Sequence, residues 1–379
     1  MKRITGRYIQ QLEGYKAFIP EHLPLTPAIE FDDEMHGLLS KADRALGRLD
    51  GSIQTLPNPD LFVLMYVRKE ASLSSEIEGT QATLRNVLEA EAGLHIQRRP
   101  DDTDEIINYI NALNHGLKRL EELPLSLRLI REIHLTLMQG VRGQHATPGE
   151  FRTSQNWTGP EGRTLKSALF VPPAPSELSQ LLSNFENYIH ADDQIPTLVK
   201  IGILHAHFET LHPFLDGNGR VGRLLITFLL CANEVLIKPV LYLSNYLKKH
   251  RGRYYELLQM TRDKGEYEEW LKFFLLGVTE VANESTEVSR QIVQLRESHR
   301  QMIIDNLGKG TANGLRLLEF LYQKPMVNVS IIAKQLELTN PTANKLTDKL
   351  AELNIVSEVT GNRRNRIYIY EPYLSIFDE

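Results

Sequence analysis

One stretch of this chain limits its architecture more than any other. Residues 223–233 read RLLITFLLCAN, apolar almost all round a helix. A helix with so little polar surface belongs at the centre of a domain, walled in by other elements. Just before it, residues 198–211 set Leu198, Ile201, Leu204, Phe208 and Leu211 on one helical face. The same spacing runs through 30–50, 60–78, 80–92, 102–121, 125–140, 175–191, 254–261 and 267–278, with a more polar connecting helix over 280–306. The run Leu56-Pro57-Asn58-Pro59 separates the first two of these. Residues 141–175 depart from the pattern. Gly143, Pro148, Gly149, Gly159, Pro160 and Gly162 predict a loop with a short hairpin there. The expected fold is mainly α.

The C-terminal part changes character. Helices are expected over 312–323, 329–336 and 342–353, followed by strand-like alternation over 356–370 around the turn Gly361-Asn362. Three helices and a hairpin is winged-helix order. The third helix carries Asn344, Lys345 and Lys349, and Arg363, Arg364 and Arg366 cluster at the expected wing tip. Asp348, Glu352 and Glu358 dilute that charge. DNA binding and a docking or homodimerisation role both stay open.

Charge and cysteine usage narrow the setting. With 379 residues and a net charge of -5, the chain has room for about two to three domains and no bulk field to draw it to nucleic acid or an acidic membrane. Its single cysteine, Cys231, lies in the apolar run, so it reads as core and not as a nucleophile. A lone cysteine makes no internal disulfide, which fits a reducing compartment. The first residues, MKRITGRYIQQLEGY, lack a signal-peptide stretch, and residues 224–232 are too short to span a bilayer. A cytoplasmic, membrane-free protein is expected.

Chemistry concentrates in residues 212–223, HPFLDGNGRVGR, between the two most apolar helices. Pro213 and the glycines allow a tight turn, and the next helix begins near Gly219. A glycine-rich turn feeding a helix N-terminus presents free N–H groups, which suits phosphate. Arg220 and Arg223, three apart, reach one side with guanidinium groups matched to phosphate oxygens. Asp216 is out of place at an anion site unless it holds a cation, and magnesium bound through one carboxylate plus phosphates resolves that conflict. Histidine's reference pKa is close to neutral, so His212 is expected to take a proton from a hydroxyl.

This loop resembles the signature of the Fic (filamentation induced by cAMP) family, HPFx(D/E)GNGRxxR, at every defining position. LGRLDG (46–51), LPNPDLF (56–62), SSEIEGTQATL (74–84), PGEFRTSQNW (148–157), FVPP (170–173) and RYYELLQMTR (253–262) are similar to further landmarks of bacterial members. The resemblance implies transfer of AMP from ATP, with magnesium, to Ser, Thr or Tyr hydroxyls of proteins, itself included. It implies His212 as the base and Asp216 as the metal-positioning residue. It also implies an ATP-binding run through Gly217, Asn218, Gly219, Arg220, Val221, Gly222 and Arg223. An intact Gly217-Asn218-Gly219 favours nucleotidyl transfer, with UMP or phosphate transfer as alternatives. A DNA-binding regulator with a nucleotide-sensing core is the alternative of another class.

Ser74 and Glu78 share a helix face, and Gly79 marks a helix end. A carboxylate in the last helical turn calls for a cationic partner. On spacing alone, a surface carboxylate is the simpler reading. Ser74-x-x-x-Glu78-Gly79 resembles the family's inhibitory motif (S/T)xxxE(G/N), which implies that Glu78 pairs with Arg223 and takes over its γ-phosphate role. AMP removal is a further activity in similar proteins. By resemblance Tyr254, before Tyr255, contacts the nucleotide, and 157–170 is a flap to which a target peptide adds a strand. His205 and His207, two apart on a helix, point to different sides and read as packing rather than zinc ligands. The implied division is an N-terminal helical region (1–110), a catalytic core (111–280), a connecting helix (281–309) and a winged-helix unit (310–379).

Overall fold

A computed structural model describes residues 3–54, 56, 58–92, 100–141, 146–159, 164–361 and 366–377. The chain opens with a hairpin, β1 (Gly6–Gln10) and β2 (Lys16–Pro20), and continues through helices α1 (Asp33–Gln54), α2 (Pro59–Ile77), α3 (Leu84–Glu91), α4 (Pro100–Leu120) and α5 (Leu127–Leu137). After the irregular stretch come α6 (Pro175–Ile189), α7 (Thr197–Leu211), α8 (Asn218–Ala232), α9 (Ser244–Lys249), α10 (Arg251–Asp263) and α11 (Tyr267–Leu307). The last part is α12 (Thr311–Gln323), β3 (Met326–Asn328), α13 (Val329–Leu336), α14 (Asn340–Glu352), β4 (Ser357–Glu358), β5 (Ile367–Ile369) and α15 (Glu371–Leu374).

The apolar helix is central, as its sequence requires. Residues 220–230 of α8 are buried, and α2, α4, α5 and α7 pack around them. Gly116 on α4 lets that helix approach closely, since a Cβ there would collide with the ring of Phe228. No helix among the described residues is long and apolar enough to cross a membrane.

Three expectations change. Residues 80–83 are not helical, Thr83 is extended, and the helix begins at Leu84, where Asn86 Oδ1 accepts from the N–H of Thr83 at 2.9 Å. Residues 267–278 and 280–306 form one 41-residue helix. The shift to polar residues does not end burial, since Val281, Ala282, Val288, Ile292 and Ile303 remain in the core, and neither glycine nor proline stands at 279–280 to break the helix. The N-terminal segment forms a hairpin whose β2 joins the irregular stretch, with Phe18 N–H donating to Val171 O at 2.9 Å.

In the C-terminal part β3, β5 and β4 form an antiparallel sheet in that order. Arg366 does not face outward as a free cation. It donates to Asn344 Oδ1 at 2.7 Å and lies 3.1 Å from Asp348, both on α14. Arg363 and Arg364 lie outside the described residues. The unit's last aromatics pack back on α2: the rings of Phe377 and Tyr66 are 5.7 Å apart, edge to face.

Candidate active site

The loop begins with a reversal. α7 ends at Leu211, and His212 takes left-handed backbone angles (φ 46°, ψ 58°), which turn its ring away from the helix. A non-glycine residue held there costs about 1–3 kcal/mol, so its surroundings must enforce it. They do. Arg152 donates from Nε to His212 O at 2.9 Å, and Asn156 Nδ2 donates to His212 O at 3.2 Å and to Phe214 O at 2.6 Å. Asn218 staples the loop from its other end, accepting from Phe214 N–H at 2.8 Å and donating to Phe214 O at 2.7 Å. Its side chain therefore shapes the anion turn instead of facing a ligand.

His134 supports the same turn from α5. Its Nδ1 accepts from Gly149 N–H at 2.8 Å, so Nε2 carries the proton toward Asp216 O, 3.0 Å away. The ring stacks on Phe214 with centroids 3.7 Å apart. Burial lowers its pKa to about 4, which keeps it neutral. Sequence reasoning passed over His134, Arg152 and Asn156. The one available signal was an arginine and an asparagine within a loop otherwise rich in glycine and proline.

His212 is half-buried, and its Nδ1 has no hydrogen-bond partner among the described residues. Burial, then the nearby Arg262 and Arg152, push its pKa down to about 3. Asp216 is exposed; its Oδ1 accepts from Gly217 N–H at 2.6 Å. Gly217, with φ 77°, opens α8 and leaves that helix's first N–H groups facing the loop. Val221 is a correction: fully buried, it is a core residue with no surface for a nucleotide. Gly222 is likewise internal, and its carbonyl lies 3.0 Å from His205 Nδ1.

Arg223 is 3% exposed and committed to α2. Nε donates to Ser74 Oγ at 2.7 Å, and Nη2 donates to Ser74 O at 3.0 Å and to Glu78 Oε1 at 2.7 Å. Burial opposes the charge on both partners. Their mutual attraction outweighs it, lowering the Glu78 pKa and raising that of Arg223. Gly79, at φ 97°, ends the helix behind Glu78. Gly219 is required by this arrangement, because a Cβ there would collide with Glu78 Oε1.

Tyr254, the tyrosine expected first at the nucleotide, is the buried one of the pair, and Tyr255 is the exposed one. Tyr254 is 1% exposed, with its hydroxyl 2.9 Å from His205 Nε2, so a ligand cannot reach its face. Tyr255 is 43% exposed and close enough to Glu78 and Arg223 to feel both charges. His207 diverges from His205 and lies parallel to Phe185. Among the described residues no three His, Cys, Asp or Glu side chains group as a metal site. Cys231 has its pKa pushed up to about 12 by burial and Asp50, the opposite of an activated thiol.

The flap is bridged at Thr158 and Phe170, with Thr158 N–H donating to Phe170 O at 2.9 Å. Residues 160–163 lie outside the described residues. Arg262, which donates to Thr210 Oγ1 at 3.1 Å and to Glu209 O at 3.1 Å, sits 3.8 Å over the Phe170 ring and ties the flap to the loop's base.

Known proteins match this arrangement. The Fic/DOC family N-terminal region matches residues 36–118, and the Fic/DOC family domain matches 124–230. The chain belongs to the Fic/DOC family. Protein adenylyltransferase Fic of Drosophila grimshawi is 28% identical over 206 residues, 52% of this chain and 38% of that protein. That of Drosophila persimilis is 26% identical over 250 residues, 59% of this chain and 45% of its own. This Fic chain thus spans less than half the length of these curated relatives. A Fic family protein from Desulfovibrio desulfuricans has the same fold, with a TM-score of 0.61 at 17% identity over 91% of this chain and 98% of that one. A Fic domain containing signaling protein from Bacteroides thetaiotaomicron superposes with a TM-score of 0.50 at 17% identity, over 68% and 95%.

Proposed function

We propose that this Fic protein moves AMP from ATP to Ser, Thr or Tyr hydroxyls of proteins, itself included, and that Glu78 holds the activity down. The observation that carries this reading is the capture of Arg223, on the loop, by Ser74 and Glu78 of α2. Relatives named protein adenylyltransferase support the reaction class.

In the proposed reaction His212 takes the proton of the attacking hydroxyl, whose oxygen then forms a bond to the α-phosphorus. The bond to the β-phosphate oxygen breaks, and pyrophosphate leaves with the electron pair. Arg220, Arg223 and the N–H groups at the start of α8 hold the phosphates, and Tyr255 offers a face to the base. Magnesium fits the residues present, because Asp216 offers one exposed carboxylate beside the phosphate site. When bound, it neutralises charge on the phosphates. With Glu78 on Arg223, a triphosphate loses that arginine and sits out of line, and a misplacement of about 1 Å costs roughly a hundredfold in rate. The flap is assigned to target binding, residues 310–379 to a winged-helix unit, and the protein to the cytoplasm. The internal pairing of Arg366 favours a docking role for that unit over DNA binding.

Intact-mass spectrometry after incubation with each nucleoside triphosphate and magnesium tests this. Glu78→Gly should gain one AMP with ATP alone, wild type far less, and Glu78→Gly/His212→Ala none. A gain with UTP, or an AMP gain that survives loss of His212, refutes the assignment.

A further inference from the structure

The turn that carries Glu78 is held at a second point. Thr80, two residues on, donates its hydroxyl to Glu105 Oε2 on α4 at 2.6 Å. The next N–H, of Gln81, donates to Asp102 Oδ2 at 3.0 Å, one helical turn from Glu105. Both α4 carboxylates are buried, Glu105 at 4% exposure.

Glu105 Oε2 also faces the loop, 3.7 Å from Arg220 Nη1. That contact is too long for a hydrogen bond and close enough for strong attraction at low dielectric. Arg220 is 4% exposed, and its Nε and Nη1 make no hydrogen bond among the described residues. Among the described residues its Nη2 meets Met138 Sδ at 3.5 Å and Asp216 Oδ1 at 3.8 Å. Unmet buried donors are costly, and an arriving phosphate would meet them.

We infer that Thr80, Glu105 and Arg220 form a second latch on the inhibitory turn. Arg220 lies beside the buried Glu105 that accepts from Thr80, and Thr80 in turn holds the turn where Glu78 reaches Arg223. Both phosphate-binding arginines are thereby tied to one turn, Arg223 directly and Arg220 through α4. A phosphate that draws Arg220 weakens the hold on the turn, so nucleotide binding and the brake oppose each other at both arginines. Thr80 and Glu105 are positioning residues here. The inference rests on the self-inhibited transferase reading above.

The test compares full-length wild type, Thr80→Val, Thr80→Ser, Glu78→Gly and Glu78→Gly/Thr80→Val for incorporation of AMP from α-labelled ATP. Thr80→Val should raise incorporation roughly fivefold or more, the lower end of ordinary coupling between sites. Thr80→Ser, which keeps the hydroxyl, should match wild type, and Thr80→Val should add nothing to Glu78→Gly. A flat result for Thr80→Val beside an activated Glu78→Gly overturns the latch alone, as does an equal gain in both backgrounds. An inactive Glu78→Gly removes the parent reading instead. Amide exchange at 78–81 decides independently of activity. It should quicken in Thr80→Val and not in Thr80→Ser, and unchanged exchange overturns the latch.

Discussion

His212 is half-buried, and burial with the nearby Arg262 and Arg152 pushes its pKa down to about 3, so it is neutral at ordinary pH and a weak base on its own. Its sign of response to ligand follows directly. Added negative charge beside an imidazole favours the protonated form, so phosphates bound at Arg220 and Arg223 should raise its pKa. NMR titration of labelled histidine should find His212 neutral down to about pH 5 in the free protein, with an upward shift of about a unit or more once ATP is bound. A downward shift would mean that the nucleotide does not lie beside it. At this scale the residues of the proposed site stand out in the sequence because His, Asp, Gly and Arg concentrate in one short loop. The supporting residues do not. His134 looks like any histidine on an apolar helix face, and its role depends on Phe214, which is distant in sequence. The order of Tyr254 and Tyr255 depends on which side of α10 faces His205, and two adjacent tyrosines do not reveal that.

Among elements, α2 and the N-terminal hairpin carry the most consequence. Helical spacing located α2, and its last turn is where the motif put it. The hairpin left no comparable trace, because β1 is exposed at nearly every position and shows no inward face. Its anchor is Phe18, 2% exposed, between Tyr8 at 5.1 Å and the flap residue Phe170 at 6.1 Å. Phe18→Ala removes a ring from a buried site, a change that costs about 3–5 kcal/mol in a global core. Here the loss falls on a peripheral element, so limited proteolysis should cut within residues 6–20 and the flap while the main thermal transition moves little. A large fall in Tm would show that the hairpin is part of the central core. The break expected near residue 279 failed for a related reason: the added polar residues take the exposed face, while Val281, Ala282, Val288 and Ile292 keep one face of α11 buried and the helix unbroken.

Across the whole molecule, buried titratable groups set opposing pH responses. His134, His205 and His207 have pKa values near 4, below the unfolded value of about 6.5, so the stability they contribute above that value is lost as pH falls toward 4. Glu70 and Glu209 are raised by burial to about 7, so theirs is complete below about 4.5 and is lost as pH rises through 7. Counting these five groups, the unfolded chain binds about one proton more across the shared window, and the lowered His212 and His299 add to that excess. Stability should therefore fall gently from pH 6.5 to 4.5, by about 1.4 kcal/mol per pH unit per excess proton. Glu70→Gln removes one opposing group, so its stability, from Tm against pH by calorimetry, should fall more steeply with acid. An unchanged slope would mean that Glu70 is ionised throughout.

Phe377 and Tyr373, near the end of the chain, stand in line against Tyr66 on α2, the helix that holds Glu78. Chains are made from the N-terminus, so the order of synthesis and the order of support run opposite ways. The loop at 212–223 is made well before the aromatics that pack on α2. For that interval each nascent molecule holds the whole HPFLDGNGRVGR sequence while α2 lacks the packing of Phe377 on Tyr66.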